Sequence, residues 1–182
     1  MPYDPPLELA SLSLPQIAEL TAARKLPPVE HWSPEREGDS GMRIAADGTW
    51  FHDRVRLTRP GMVRAFSGLL ARDDAGQHWL ISPHEKLSIT VEDAPFVAVD
   101  VAQKGQDLAF RLNTDELVIA GPDHRLIARG DSERPAIYLQ VRRGCEARLN
   151  RSTYEQLAQI ALAADDGWQV ASGGETFSFL PR

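Results

Sequence analysis

The chain has 182 residues, of which 42% are hydrophobic and 25% charged, and its formal net charge is -6. That length suits one large or two small domains, and the acidic balance excludes a general nucleic-acid coat or a binder of anionic membranes. Cys145 is the only cysteine, so neither an internal disulfide nor a cysteine-based zinc site can form.

Met1-Pro2-Tyr3-Asp4-Pro5-Pro6 has neither the basic nor the apolar region of a signal peptide. With no apolar run approaching a membrane span, the expected location is cytoplasmic. Residues 13–26 read as a helix with Ser13 as N-cap, Pro15 in the first turn and Leu14, Ile17, Ala18 and Leu20 on one face. Pro27-Pro28 stops it. Residues 29–41 read as an ordered loop. Short strands are expected over 42–44, 49–52 and 55–57, with Asp47-Gly48 as the hairpin turn between the first two.

A helix over 59–71 should follow, capped by Thr58, with Met62, Val63, Phe66, Leu69 and Leu70 on its apolar face. After a strand at 78–81 comes the central run, residues 87–101. Two alternating segments flank the corner Glu92-Asp93-Ala94-Pro95, and Ile89, Val91, Val97 and Val99 are expected in the core. Further strands are expected at 108–112, 116–119, 136–142 and 145–149. A helix over 151–164, capped by Asn150, precedes strands at 169–171 and 176–180. Helices and strands do not alternate regularly, so the fold class is α+β.

An internal repeat is also expected. A shift of about 92 residues aligns Arg56 with Arg148, Leu57 with Leu149, Arg59 with Arg151 and Asp73-Asp74 with Asp165-Asp166. Each copy would be a strand, a cap, a helix, an Asp-Asp turn and another strand, which makes the 59–71 and 151–164 helices equivalent.

Arg59 and Arg151 fall in the first turns of those helices, where free N–H groups favour an anion. Lys86 precedes the central strand; Arg54, Arg56, Arg59 and Arg64 form one arginine cluster, and Arg142, Arg143, Arg148 and Arg151 a second. Solvated strand faces paired with nearby Asp and Glu are the plainer account of the same residues. The carboxylates Glu92 and Asp93 point to opposite sides of an extended chain, so they do not form a close dyad. The five histidines show no metal-ligand spacing, and no nucleophile elbow, P-loop or dinucleotide fingerprint occurs. No catalytic residue, metal or cofactor is therefore assigned. The four tryptophans are expected in cores.

Four ordered segments carry a resemblance: Pro27-Pro28-Val29-Glu30-His31-Trp32, Asp47-Gly48-Thr49-Trp50-Phe51-His52, His78 through Lys86, and Val91-Glu92-Asp93-Ala94-Pro95-Phe96. Together with Tyr138-Leu139-Gln140-Val141-Arg142 and the Arg148-Leu149 region, they resemble the bacterial "domain of unknown function 1285" family. Asp53-Arg54 departs from the pattern, standing where a glycine-containing turn is the natural choice. The resemblance implies two domains with duplicated motifs, the second mostly antiparallel and superficially like a pleckstrin-homology barrel. It also implies a nucleotide-like ligand between them and a role in signalling.

The expected organisation is an N-terminal helical segment over 1–30, an α+β domain over 31–86 and a β-rich, barrel-like domain with one helix over 87–182. The leading functional expectation is a ligand-binding or sensory protein. It would hold an anionic ligand at the inter-domain cleft with Lys86, Arg59, Arg142 and Arg151, lined by Trp50, Phe96, Glu92 and Asp93. The alternatives are a scaffold that recruits a protein partner and a metal-assisted hydrolase using Glu85, Glu92 or Asp93.

Overall fold

The computed structural model describes residues 6–164 and 167–181. Two compact units emerge: Lys25–Pro95 with Arg142–Cys145, and Phe96–Val141 with the preceding residues 6–24 and the chain from Glu146 onward. The division falls at Pro95/Phe96 rather than at residue 86, and the N-terminal helix groups with the second unit instead of forming a segment of its own. A break after Lys86 would cut a strand that is paired on both sides.

The first unit contains β1 (Arg36–Ile44), β2 (Trp50–His52), β3 (Val55–Arg56), α1 (Pro60–Ser67), β4 (Leu70–Arg72), β5 (His78–Ile81) and β6 (Glu85–Val91). The strands form one mixed sheet in the order β3-β2-β1-β6-β5-β4. Ile44, Trp50, Leu70, Leu80 and Ile89 are buried at its core.

Three local expectations fail here. β1 begins at Arg36, inside the expected loop, because it runs parallel to β6 from Arg36↔Glu85 to Asp39↔Ser88. Its first residues are exposed and show no apolar alternation, so backbone pairing alone makes them a strand. The register shifts between Asp39 and Arg43. Gly41 lies there at φ 66, where a Cβ would stand 2.5 Å from Asp53 Oδ1. The second failure is α1, which ends at Ser67 and is flanked by Arg59 rather than capped by Thr58. Leu70-Ala71-Arg72 instead pairs with β5, Leu70 opposite Leu80. Leu69 and Leu70 fit a helical stripe and a strand equally well, and the ladder wins. Third, Asp53 and Arg54 close the β2–β3 hairpin without glycine, at φ 46 and 71. That is the primed two-residue turn that suits twisted strands.

The second unit contains α2 (Leu14–Ala23), β7 (Phe96–Lys104), β8 (Asp107–Leu112), β9 (Leu117–Ile119), β10 (Leu126–Gly130), β11 (Pro135–Arg142), β12 (Cys145–Leu149), α3 (Arg151–Ala163), β13 (Gln169–Ser172) and β14 (Glu175–Ser178). β7 to β12 form a mixed sheet in the order β10-β11-β12-β7-β8-β9, and β13 and β14 form a separate hairpin. The strand at 126–130 was not expected.

α2 starts with a reciprocal capping box between Ser13 and Gln16. It ends at Ala23, three residues early, where Arg24 turns extended and pairs with Glu116 at 3.1 Å. Ile17 is its buried residue and packs with Leu9, Leu12 and Ala109, while Leu20 is exposed. Asn150 caps α3 by accepting from Thr153 N–H at 2.9 Å. No helix among the described residues is long and apolar enough to cross a membrane.

Residues 87–101 accordingly serve two sheets, with β6 in the first and β7 in the second. Ile89 and Val97 are buried as expected, but Val91 is half-buried and Val99 is exposed. Trp168 is exposed as well, contrary to the expected core role.

The repeat exists, though in another register. Each six-stranded sheet places its first and sixth strands side by side in parallel, β1 with β6 and β12 with β7. The second and third strands follow on one flank, the fifth and fourth on the other. β1 to β6 therefore correspond to β7 to β12. The helices are not equivalent: α1 joins the third strand of its sheet to the fourth, whereas α3 follows the sixth. The 92-residue alignment is overturned because a cap-and-helix start recurs wherever a strand feeds a helix. Asp165 and Asp166, which it also used, lie outside the described residues.

Candidate functional site

In the first unit, α1 and the residues around it leave a groove of about 420 Å³ over the sheet. Met42 from β1, Leu80 and Ile81 from β5 and Leu87 from β6 form one side. Leu57, Met62, Phe66 and Leu69 from α1 and its flanks form the other. The polar lining is Ser40, His52, Ser82 and Glu85. Phe66 also stacks on the buried Trp50, with ring centroids 6.5 Å apart. That size and that ratio of apolar wall to polar rim are those of a small-molecule site.

Alternation along β6 decides which side chains can reach the groove. Glu85 and Leu87 line it, while Lys86 faces the opposite side of the sheet. There its Nζ sits 4.1 Å from the Trp79 ring centroid and 3.8 Å from Glu37. Trp79 Nε1–H in turn donates to Asp73 Oδ2 at 3.0 Å. Arg43 likewise lies over Phe51 at 4.4 Å and pairs with Glu92.

The residues expected to hold an anion are dispersed. Arg59 is exposed ahead of α1, and Arg142 donates to Ser67 O at the far end of the same helix, 3.2 Å away. Eight helical residues, about 12 Å of rise, separate the two ends. Lys86 is turned away on β6. Arg151, in the second unit, is exposed and pairs with Glu155 one helical turn on, at 2.9 Å.

Trp50 is core, and Phe96 is fully buried where β7 begins. Glu92 accepts from Ala46 N–H at 2.9 Å in addition to pairing with Arg43. Asp93 is half-buried in the corner. Among the described residues, no three His, Cys, Asp or Glu side chains gather as a metal site. The groove residues escaped the sequence reading because an apolar groove wall and an apolar core have the same periodicity. Glu85 was visible only as part of a charged strand start.

The Asp73 carboxyl is held below its ordinary value of 3.8, chiefly by the Trp79 hydrogen bond and then by the Gln77 backbone N–H. A depressed folded-state value means that the stabilisation is complete above the ordinary value and disappears as pH falls through the folded one. The Trp79 indole N–H resonance should therefore move as pH falls, with a midpoint below 3.8. In Asp73→Asn that titration should vanish. A midpoint at or above the ordinary value would show that the bond does not form in solution.

The family models that match are Domain of unknown function (DUF1285), N-terminal domain, over residues 27–94, and Protein of unknown function (DUF1285), C-terminal domain, over residues 95–179. Their junction coincides with the break between the compact units. A DUF1285 family protein from Silicibacter pomeroyi DSS-3 is similar to the chain at 36% identity, with a TM-score of 0.76. The match covers 94% of this chain and 97% of that one. A second, from Shewanella baltica OS155, shares the fold at 24% identity and a TM-score of 0.54, covering 65% of this chain and 90% of that one. No curated protein matches.

Proposed function

The chain belongs to the DUF1285 family, and from that premise we propose that it is a binding protein whose ligand places an apolar body in the groove beside α1. The observation that carries this reading is the lining: apolar residues of the sheet, with Leu80 and Leu87 paired on one face, lie across from Leu57, Met62, Phe66 and Leu69, around a volume large enough for a small molecule. Burying apolar ligand surface there supplies roughly 25 cal/mol per Å² before the cost of association. The anionic ligand of the sequence reading finds less support, because Lys86 lies behind the sheet and Arg59 and Arg142 lie at opposite ends of α1.

Octanol is a suitable probe. Titrated into the 15N-labelled full chain, it should shift the amides of Met62, Leu80 and Leu87 and leave the second unit unmoved. Met62 is 39% exposed, so Met62→Gln puts an amide in the wall without opening the core. It should weaken octanol by about threefold to tenfold. Groove amides that stay still up to the solubility limit of octanol would end the reading.

A further inference from the structure

We propose that the ligand of this groove carries an ammonium group that pairs with the carboxylate of Glu85; this rests on the groove being a binding site. Glu85 is half-buried at the start of β6, and strand alternation sends it to the same side as Leu87. Among the described residues its carboxylate forms no ion pair and accepts no hydrogen bond. The neighbouring cations do not serve: Lys86 is committed to Trp79 and Glu37 on the opposite face, and Arg36, the register partner of Glu85 on β1, forms no ion pair with it. No lysine or arginine lines the groove, and its one histidine faces Asp53 at 3.5 Å.

The backbone that carries the carboxylate is held in place. Glu85 N–H donates to Ser82 Oγ at 3.1 Å, while its carbonyl accepts from Ser82 N–H at 2.9 Å and from Ser82 Oγ–H at 3.2 Å. Those bonds fix the backbone from which the side chain projects, so only the side-chain rotamers of Glu85 remain to be ordered on binding.

A carboxylate beside apolar walls is costly to desolvate unless a cation meets it. A neutral apolar ligand would strip water from Glu85 and give nothing back, and an anionic one would add repulsion. An alkylammonium answers both demands, with its chain against Met62, Phe66 and Leu87 and its N–H donors on Glu85. The net charge of -6 draws a cation toward the protein at long range.

The test compares octylammonium, octanol and octanoate on the full chain, with affinities from calorimetry and location from amide shifts. Octylammonium should bind at the groove about tenfold or more tighter than octanol, and octanoate more weakly than octanol. Glu85→Gln should bring octylammonium down to octanol's affinity while octanol, no longer desolvating a charge, binds as tightly as before or tighter; Glu85→Lys should reverse the order in favour of octanoate. Equal binding of octylammonium and octanol, or a preference that survives Glu85→Gln, overturns the ammonium assignment and leaves the groove as a site. Octylammonium shifts scattered over the acidic surface while octanol still binds the groove overturn it too. Failure of octanol itself to reach the groove removes the underlying reading, and this assignment with it.

Discussion

Trp50→Ala should destabilise the first unit by about 3–5 kcal/mol. Trp50 is 2% exposed, and its indole stacks on Phe66 at an interplanar angle of 20°. The alanine variant loses that contact area and leaves a cavity between α1 and β2 that the strands cannot close. The indole N–H makes the comparison sharper. It is buried and has no hydrogen-bond partner among the described residues, so the native state carries a desolvation cost of about 1–3 kcal/mol. Trp50→Phe keeps most of the aromatic area and removes that cost, and should lose less than about 1.5 kcal/mol. Because the chain has two units, one melting curve need not be two-state. Amide exchange at Ile44 and Ile89 reads the first unit directly. A loss for Trp50→Phe well above about 1.5 kcal/mol would show that the N–H is satisfied in solution.

The second large effect belongs to Arg143. Its side chain is 9% exposed; Nη1–H donates to Gly68 O at 2.8 Å, Nη2–H to Pro27 O at 2.7 Å, and Nε pairs with Glu30. The guanidinium thus satisfies the carbonyl just beyond the end of α1 and the carbonyl ahead of the 3-10 turn at Val29–His31. Arg143→Met keeps the apolar stem but leaves the Gly68 carbonyl without its donor and the Pro27 carbonyl with only the Val29 N–H, at an expected loss of about 2–3 kcal/mol. Arg143→Lys should recover less than half of this, since one ammonium cannot reproduce the guanidinium fork. Glu30 is 60% exposed, so Glu30→Gln should cost no more than about 1 kcal/mol. Chemical denaturation of the four proteins, followed through amides of the first unit, measures the series. A loss for Glu30→Gln as large as for Arg143→Met would place the energy in the ion pair rather than in the carbonyls.

Both residues show the limits of reading this chain as a string. Trp50 was assigned to a ligand wall because aromatics on a strand serve either use, and only packing against Phe66 tells them apart. Arg143 was counted in a cluster of arginines, yet its partners Pro27, Glu30 and Gly68 lie far back in the sequence. The repeat followed the same logic. Identity at a 92-residue shift tracked two helix starts, while the duplicated feature is an order of strands that only the parallel pairs β1–β6 and β7–β12 define.

The sequence by itself determined whatever depends on neighbours a few residues apart. The Ser13 and Asn150 caps, the Asp47-Gly48 turn, the strands on either side of the 92–95 corner, the α+β class and the family resemblance were all legible for that reason. Tertiary structure alone decided the rest. It made residues 36–41 a strand, cut α1 short at Ser67, put the unit boundary at Pro95, and set Lys86 and Glu85 on opposite faces of one sheet. Each of these depends on hydrogen bonds or packing between segments distant in the chain. Local propensity is indifferent there, and the partner that forms the ladder supplies the deciding free energy.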